Sequence, residues 1–512
     1  MNPEYLLDIA YTKHFYENLN PWLINYISAI NGYTAPNIKD KFTYCELGCG
    51  NGISLNILAA ANPQGLFYGV DFNPEHIANA RLATKEGGLD NVTLLEEDFA
   101  NLPNLELPDF DFITLHGVFS WVSPAMRNRI VTFIARKLMH GGMVMVSYNT
   151  PQGWAVVAPM RDFLRSFIAD GSGADLIEKA RRGLEELCFL RDAKSAYFEM
   201  NPLAGIVLDS YLRFDLRYIV HEFLTPHWQP LNFSEVLGNM KSAGIDYTGS
   251  YPVALNYGQM SIPETLHGYF QQIKDRTVFE MRKDLVRMTL FRSDIFCRET
   301  SQEKPSYLDK FRGMVVGTAL RKQDFKFHIE IPGHTSIDMQ GPLFEKLTEL
   351  MGGNSISMEA LLAAPDLRPY SPEEITSAIE WFISTDQVKP YAQPAPVYEE
   401  NDAFRMSHFN CALLQRELPQ SRNIALASWT AGSGIPVTSR DGLALLALSE
   451  AGDREKAEEW AGLWTVRNRL VGNDEGNAPP LATVIKNAAA NPSYLNALGL
   501  GEPPTKIKRD IT

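Results

Sequence analysis

Residues 44–52 read Tyr44-Cys45-Glu46-Leu47-Gly48-Cys49-Gly50-Asn51-Gly52, and this segment decides how the rest of the chain is interpreted. It is a short apolar run that ends in a glycine-rich turn, and the residues from Ile53 onward have helical apolar spacing. Gly48, Gly50 and Gly52 allow a sharp turn and leave peptide groups open to a ligand. The order of strand, turn and helix is typical of a nucleoside site in a parallel sheet.

Acidic residues around this turn separate two kinds of nucleoside ligand. Asp71 ends the next apolar run, where a carboxylate can accept hydrogen bonds from a ribose diol, and Phe72 follows it. Glu46 precedes a G-x-G-x-G turn, whereas a dinucleotide site has G-x-G-x-x-G. A carboxylate here would repel a pyrophosphate but suits a cationic amino group. The sequence therefore predicts binding of S-adenosylmethionine rather than NAD, with Glu46, the three glycines, Asp71 and Phe72 in the site.

Composition limits the classes of partner. A length of 512 residues suggests about three domains. The formal net charge of −14 disfavours a nucleic-acid substrate, because phosphate backbones are repelled by an acidic surface. No apolar run reaches the length of a membrane span, and no histidine pair has the spacing of a metal site. Five scattered cysteines without a CxxC pair indicate free thiols, so we expect a cytoplasmic protein without metal or membrane insertion.

Strand and helix patterns alternate between residues 43 and 148, which predicts a parallel sheet with its ligands at the carboxyl ends of the strands. Asp98 and Phe99 follow the third strand, where they could contact the adenine amino group and ring. Residues 155–225 have only helical periodicity, and strand patterns return near 245–247 and 294–298. The predicted fold class is α/β, a Rossmann-like seven-stranded sheet with a helical insertion at 155–225, in a discontinuous domain ending near residue 300.

Three further segments complete the predicted organisation. Residues 1–40 carry an aromatic stripe, and Tyr11 and Tyr16 in it could close over the ligand as a lid or simply pack. Residues 301–395 show three helices and a strand, as in a winged helix, but lack a basic recognition helix, so we interpret them as an interaction or regulatory domain. Residues 396–512 form a C-terminal helical or α/β domain whose role the pattern does not indicate.

The motifs together resemble a known family. The glycine turn, Asp71, Asp98-Phe99, residues 116–122 (HGVFSWV) and residues 146–150 (VSYNT) resemble class I S-adenosylmethionine-dependent methyltransferases that carry a methyltransferase regulatory domain. This group includes the rickettsial-type protein-lysine methyltransferases, and the segment from His221 to Asp294 resembles the regulatory domain itself. The resemblance implies methyl transfer, with the loop from His116 to Val122 beside the cofactor.

The acceptor is the least determined part of the prediction. An Asn-Pro-Pro-Tyr motif and a cysteine at a nucleophile position are both absent, which argues against methylation of DNA bases. A lysine of a protein is the favoured methyl acceptor. Two alternative functions remain, a small-molecule methyltransferase of secondary metabolism and a non-enzymatic regulator that binds S-adenosylmethionine. An amine acceptor must be kept neutral, and the candidate groups near the methyl are Tyr16, His116, Tyr148 and Asn149. A protein substrate is the expected partner, and a homodimer remains open.

Overall fold

The computed structural model describes residues 14–169, 175–225, 227–298, 308–331, 335–396, 404–419, 421, 423–467 and 480–503. Its central feature is one seven-stranded sheet with the order β3-β2-β1-β4-β5-β7-β6. The strands are β1 (Phe42–Leu47), β2 (Gly65–Asp71), β3 (Val92–Glu96), β4 (Phe110–Leu115), β5 (Leu138–Asn149), β6 (Ile245–Tyr251) and β7 (Phe291–Arg298).

The first five strands are parallel, and β7 runs antiparallel between β5 and β6. Ile295 of β7 pairs with Met145 of β5 and with Gly249 of β6, so both late strands belong to the main sheet. The predicted seven-stranded α/β fold is confirmed. The carboxyl ends of the parallel strands meet at one edge, where ligands of such sheets bind.

Helices cover both faces of the sheet. Several start with a side chain that caps the first backbone N–H groups and a proline at the first helical position, as Asn73 and Pro74 do for α3. The helices are α1 (Pro21–Ile30), α2 (Ile53–Ala61), α3 (Pro74–Glu86), α4 (Pro124–Lys137), α5 (Pro151–Ser166), α6 (Leu176–Asp192), α7 (Ala196–Met200), α8 (Pro202–Tyr211), α9 (Leu216–Phe223), α10 (Phe233–Ser242), α11 (Gly258–Ser261), α12 (His267–Phe270) and α13 (Arg276–Arg287).

Helices α5 to α9 form a bundle with its own apolar core. Trp154, Leu184, Leu208 and Phe223 are buried together in it. Between β5 and α10, the described residues contain helices and no strand. The segment predicted as a helical insertion is therefore helical where it is described, and α9 returns the chain toward the sheet.

The rest of the chain packs against the sheet domain. A hairpin of β9 and β10 and a three-stranded sheet of order β11-β8-β12 accompany three helices, and a second hairpin precedes the last helices. These elements are β8 (Val315–Gly317), β9 (His328–Ile331), β10 (Thr335–Asp338), α14 (Pro342–Met351), β11 (Ser355–Ser357), α15 (Met358–Ala363), α16 (Pro372–Ser384), β12 (Lys389–Tyr391), α17 (His408–Glu417), β13 (Asn423–Ser428), β14 (Ser433–Thr438), α18 (Ser439–Ala451), α19 (Arg454–Arg467), α20 (Leu481–Ala489) and α21 (Pro492–Ala497).

The apolar core is continuous from the sheet into the C-terminal elements. One buried cluster joins Ile27 of α1 and Phe67 of β2 to Phe382 of α16. Asn62 lies at a second junction, where it accepts a hydrogen bond from the Trp22 indole and donates one to the carbonyl of Gly432, each at 2.8 Å. The elements after residue 308 are therefore packed against the central seven-stranded sheet. Within the described ranges, none of the helices combines the length and hydropathy needed to cross a bilayer.

Candidate active site

The glycine turn lies between β1 and α2 and brings the backbone close to the loop after β4. Gly48 has a φ of +79°, and its N–H donates to the Val70 carbonyl at 2.7 Å. A Cβ at this position would lie 2.5 Å from Cγ2 of Val118. Only glycine therefore fits here without strain, because the conformation and the space both exclude a side chain.

Asp71, at the end of β2, fixes the shape of the turn. Its Oδ2 accepts the Gly50 N–H at 2.9 Å, and its Oδ1 accepts the Asn73 N–H at the same distance. Nδ1 of His76 lies 3.4 Å from Oδ1. Among the described residues, both nitrogens of the His76 ring are buried without a hydrogen-bond partner. Asp71 thus supports the backbone, and the unpaired ring of His76 lies beside it.

Glu46 is a buried carboxyl with an unpaired oxygen. Its Oε2 has no hydrogen-bond partner among the described residues. Burial, and to a lesser extent the charge of Asp71, raise the pKa of Glu46 to about 8. An unpaired buried carboxylate is unfavourable, so this site would be stabilised by a cationic ligand group.

One cavity of about 210 Å³ connects these residues with the loop after β4 and with α9. Its lining consists of His14, Tyr16, Glu46, Gly48, Cys49, Gly50, Asn51, Ile53, Ser54, Asp71, Phe72, His76, Phe99, His116, Gly117, Val118, Trp121, Val122, His221, Glu222 and Thr225. A larger cavity of about 600 Å³ lies among α20, β12 and β14, but it contains no residue of the glycine turn. The smaller cavity is therefore the candidate active site, since it holds the ligand-binding turn.

His116 lines this cavity as a neutral ring. Its Nδ1 accepts a hydrogen bond from the Asn18 amide at 2.9 Å, which assigns the ring proton to Nε2. The ring lies against Tyr16, with 4.0 Å between the centroids. Burial, with a smaller contribution from His14, lowers the pKa of His116 to about 3. His116 can donate one hydrogen bond from Nε2, and its Nδ1 is already engaged.

Comparison with known families identifies the enzyme class. A family model described as a methyltransferase domain matches residues 38–169, and one described as a predicted methyltransferase regulatory domain matches residues 215–298. The match confirms the sequence-based prediction of an S-adenosylmethionine-dependent methyltransferase with a regulatory-domain segment.

Relatives extend the similarity over most of the chain. An uncharacterized protein of Synechocystis sp. is 28% identical over 447 residues, which cover 87% of this chain and 88% of that protein. An uncharacterized protein of Rickettsia prowazekii is 26% identical over 300 residues, 57% of this chain and 52% of its own length. The structure of PKMT2 from Rickettsia typhi in complex with AdoHcy has a TM-score of 0.74 and 17% identity, covering 96% of this chain and 99% of that one. The fold is therefore shared from the methyltransferase domain through the C-terminal elements.

The methyltransferase cavity contains most of the predicted cofactor residues. Glu46, Gly48, Gly50, Asp71, Phe72, Phe99 and His116 line it, and so does Tyr16 of the predicted catalytic group. Tyr11 lies outside the described residues. Their roles in binding or catalysis remain predictions.

Two predicted cofactor residues do not line the cavity. A Cβ on Gly52 would lie 2.7 Å from Cβ of Ala80, so this glycine permits α2 and α3 to pack closely. Asp98 accepts the Ala100 N–H at 2.9 Å through Oδ1 and is not among the lining residues, whereas its neighbour Phe99 is. Gly52 and Asp98 thus have roles in local structure, and their predicted contacts with the cofactor remain predictions.

Tyr148 and Asn149 also lie outside the cavity lining. The Tyr148 hydroxyl donates to Oδ2 of Asp294 at 2.5 Å, within a buried ionic cluster around Arg292. Asn149 is buried, and its backbone N–H donates to the Ser120 hydroxyl at 2.9 Å. Tyr148 points away from His116 on β5 while Ser147 points toward it, and the alternation of side chains places Asn149 on the same face as Ser147. The catalytic roles of Tyr148 and Asn149 remain predictions.

Helix α9 contributes residues that the sequence analysis missed. His221 and Glu222, near the end of α9, line the cavity, and so does Thr225, which follows the helix. The hydroxyl of Thr225 is buried without a hydrogen-bond partner. The sequence carried only a weak signal for them, a His-Glu pair on a short amphipathic helix far from the glycine turn. The segment matched by the regulatory-domain model thus supplies two strands of the sheet and part of the active-site wall.

Proposed function

We propose that this enzyme transfers the methyl group of S-adenosylmethionine to lysine side chains of a protein. The observation that carries the proposal is the acidic lining of the cavity. Three of its lining residues are carboxylic acids, Glu46, Asp71 and Glu222, and within the described part of the chain none of the lining residues is a lysine or arginine. When they are ionised, these carboxylates attract cations, namely the cofactor and the ammonium group of an acceptor.

The residues around the glycine turn fit the cofactor. Gly48 lines the cavity with bare backbone, and Glu46 has an oxygen without a hydrogen-bond partner among the described residues, which suits the amino group of the methionine part. The ring of His76 lies beside Asp71, and its nitrogens have no hydrogen-bond partner among the described residues. We expect the ribose hydroxyls of the cofactor to pair with these nitrogens. Phe99 supplies an apolar face for the adenine.

The chemistry requires alignment more than acid–base power. The cofactor supplies a methyl group made electrophilic by its positive sulfur. Tyr16 and Trp121 supply aromatic faces in the same cavity, which can hold the aliphatic stem and attract the ammonium of a lysine. The neutral His116 ring keeps Tyr16 in place and adds no positive charge that would repel the acceptor. The surroundings of Tyr16, Trp121 and His116 thus favour a long cationic side chain as the methyl acceptor.

The C-terminal elements contribute no lining residue in the described ranges, since the cavity is lined by residues between His14 and Thr225. Their contribution to substrate choice would therefore come from contacts outside the cavity. Their size favours a macromolecular partner, and PKMT2 of Rickettsia typhi shares their arrangement.

The test uses the full chain, because its apolar core continues from the sheet into the C-terminal elements. The enzyme is incubated with radiolabelled S-adenosylmethionine and bacterial extract, and the protein fraction is hydrolysed and analysed for methylated lysine. A matched extract with its lysines acetylated, which removes the nucleophilic amine, is the control. We expect label in methyllysine that disappears in the control. Label only in low-molecular-mass material would instead support a small-molecule methyltransferase.

A further inference from the structure

Glu222 is a carboxyl group that lines the cavity from α9, far along the chain from the glycine turn. It lies on α9, in the segment matched by the regulatory-domain model, and lines the cavity together with Tyr16 and Trp121. The other two lining carboxyls, Glu46 and Asp71, belong to the glycine turn and to the strand end that supports it. Glu222 is therefore the carboxyl that an acceptor would meet.

The surroundings of Glu222 leave its charge largely uncompensated. In the part of the chain that the structure describes, no ion pair or side-chain hydrogen bond of Glu222 is found. The cation that acts on it is Arg161 of α5, whose guanidinium donates to the Thr225 carbonyl at 3.0 Å and lies 4.4 Å from the centroid of the Trp228 ring. Arg161 is thus held by other partners and lowers the pKa of Glu222 only in part.

Other titratable groups near Glu222 come from the helices packed around it. Tyr211 of α8 and Tyr218 of α9 both have a raised pKa, to which burial contributes most and Glu222 adds. His221 precedes Glu222 on α9 and lines the same cavity. Burial raises the pKa of Glu222 to about 8, against the opposing charge of Arg161. A carboxyl with this pKa can exchange a proton near neutral pH.

We propose that Glu222 binds the ammonium group of the methyl acceptor and takes a proton from it before methyl transfer. The proton moves from R–NH3⁺ to a carboxylate oxygen of Glu222, which leaves a neutral R–NH2. The nitrogen lone pair then forms the new N–C bond with the methyl group while the C–S bond breaks, and its electron pair stays on sulfur as a thioether. The product is R–NH2⁺–CH3, and Glu222 later releases its proton to solvent. The inference rests on the proposed function, since it needs an amine acceptor.

The role would give the regulatory-domain segment a direct part in catalysis. Helix α9 is joined to β6 and β7 within one matched segment, and these strands complete the sheet. A movement of α9 would change the position of the proton acceptor without moving the glycine turn. Acceptor selection would thus be separable from cofactor binding.

The main test compares Glu222→Gln, which cannot accept a proton, with Glu222→Asp and with Glu186→Gln, a control at an exposed position on α6. We expect all three variants to bind S-adenosylhomocysteine within twofold of the wild type and to melt at a similar temperature. At saturating S-adenosylmethionine, Glu222→Gln should lower kcat by about 10²-fold or more. Its rate should also lose the rise toward pH 8, whereas Glu222→Asp keeps part of the activity. A kcat within threefold of the wild type with an unchanged pH profile would overturn the proposal.

A binding measurement separates this proposal from the proposed function. N-acetyl-lysine methylamide and butylamine are titrated against the complex with S-adenosylhomocysteine, and we expect both to bind to wild-type protein at least tenfold more tightly than to Glu222→Gln. If amine binding depends on Glu222 but label from the extract enters only small amines, the role of Glu222 is supported and the proposal of a protein substrate is refuted. If neither amine binds, or if Glu222→Gln binds them equally well, the role of Glu222 is refuted whatever the natural acceptor.

Discussion

Oδ2 of Asp71 accepts the backbone N–H of Gly50 at 2.9 Å, which ties the end of β2 to the turn after β1. The sequence predicted that Asp71 faces the ligand, and in the structure the same carboxylate also shapes the turn that would hold the ligand. The predicted ligand contact would therefore couple binding to folding at this residue. Substitutions here have to be measured for both properties.

Asp71→Ala should lower the free energy of unfolding as well as cofactor affinity. The variant leaves the N–H groups of Gly50 and Asn73 without their acceptors, which costs about 1–3 kcal/mol for each buried group. Denaturant unfolding and calorimetry with S-adenosylhomocysteine give the two quantities. Asp71→Asn, which keeps one acceptor oxygen, should lose less of both. An unchanged unfolding midpoint in Asp71→Ala would show that the turn is held by other contacts.

The comparison of Gly48→Ala with Gly50→Ala should separate backbone strain from steric exclusion. Both glycines have positive φ, +79° and +53°, so each alanine incurs about 1–2 kcal/mol of conformational strain. Only the Cβ at position 48 meets a neighbour, Val118 at 2.5 Å, and no atom lies within 4 Å of one at position 50. We expect Gly48→Ala to lose clearly more stability and cofactor affinity in urea unfolding and calorimetry. Equal losses would mean that Val118 can move aside.

The sequence predicted the sheet well because its signals are local. Apolar runs and the glycine turn mark the strands, and a G-x-G-x-G turn with Glu46 and Asp71 marks the cofactor end. The sequence was less informative where the orientation of a side chain or long-range packing decides which residues reach the cavity. On β5, the alternation of side chains places Ser147 toward His116 and Tyr148 toward Asp294, and the motif alone does not reveal which face is which. Glu222 lies far along the chain from the turn, so only the packing of α9 brings it to the cavity.

Tyr148→Phe should affect stability but not catalysis. The substitution removes a hydroxyl that donates to the buried carboxylate of Asp294, which is also held by Arg292 at 2.8 Å. The free energy of unfolding should fall by about 1–3 kcal/mol, while kcat and the affinity for S-adenosylhomocysteine stay unchanged. Thermal melts and steady-state kinetics on the same preparation provide the comparison. A large loss of kcat with unchanged stability would show that Tyr148 takes part in catalysis.

Cofactor affinity should depend on pH through Glu46. Burial, aided by Asp71, raises the pKa of Glu46 to about 8, so the carboxyl is mostly protonated at pH 7. Pairing with a ligand ammonium requires the ionised form, and binding must therefore release a proton below pH 8. The affinity for S-adenosylhomocysteine should fall by up to about tenfold for each pH unit below 8. Calorimetry between pH 6 and 8, in buffers of different ionisation enthalpy, measures both the affinity and the proton release. Glu46→Gln should bind more weakly at pH 8 and lose most of this dependence. If the variant keeps the wild-type dependence, the released proton comes from another group and Glu46 does not pair with the ammonium.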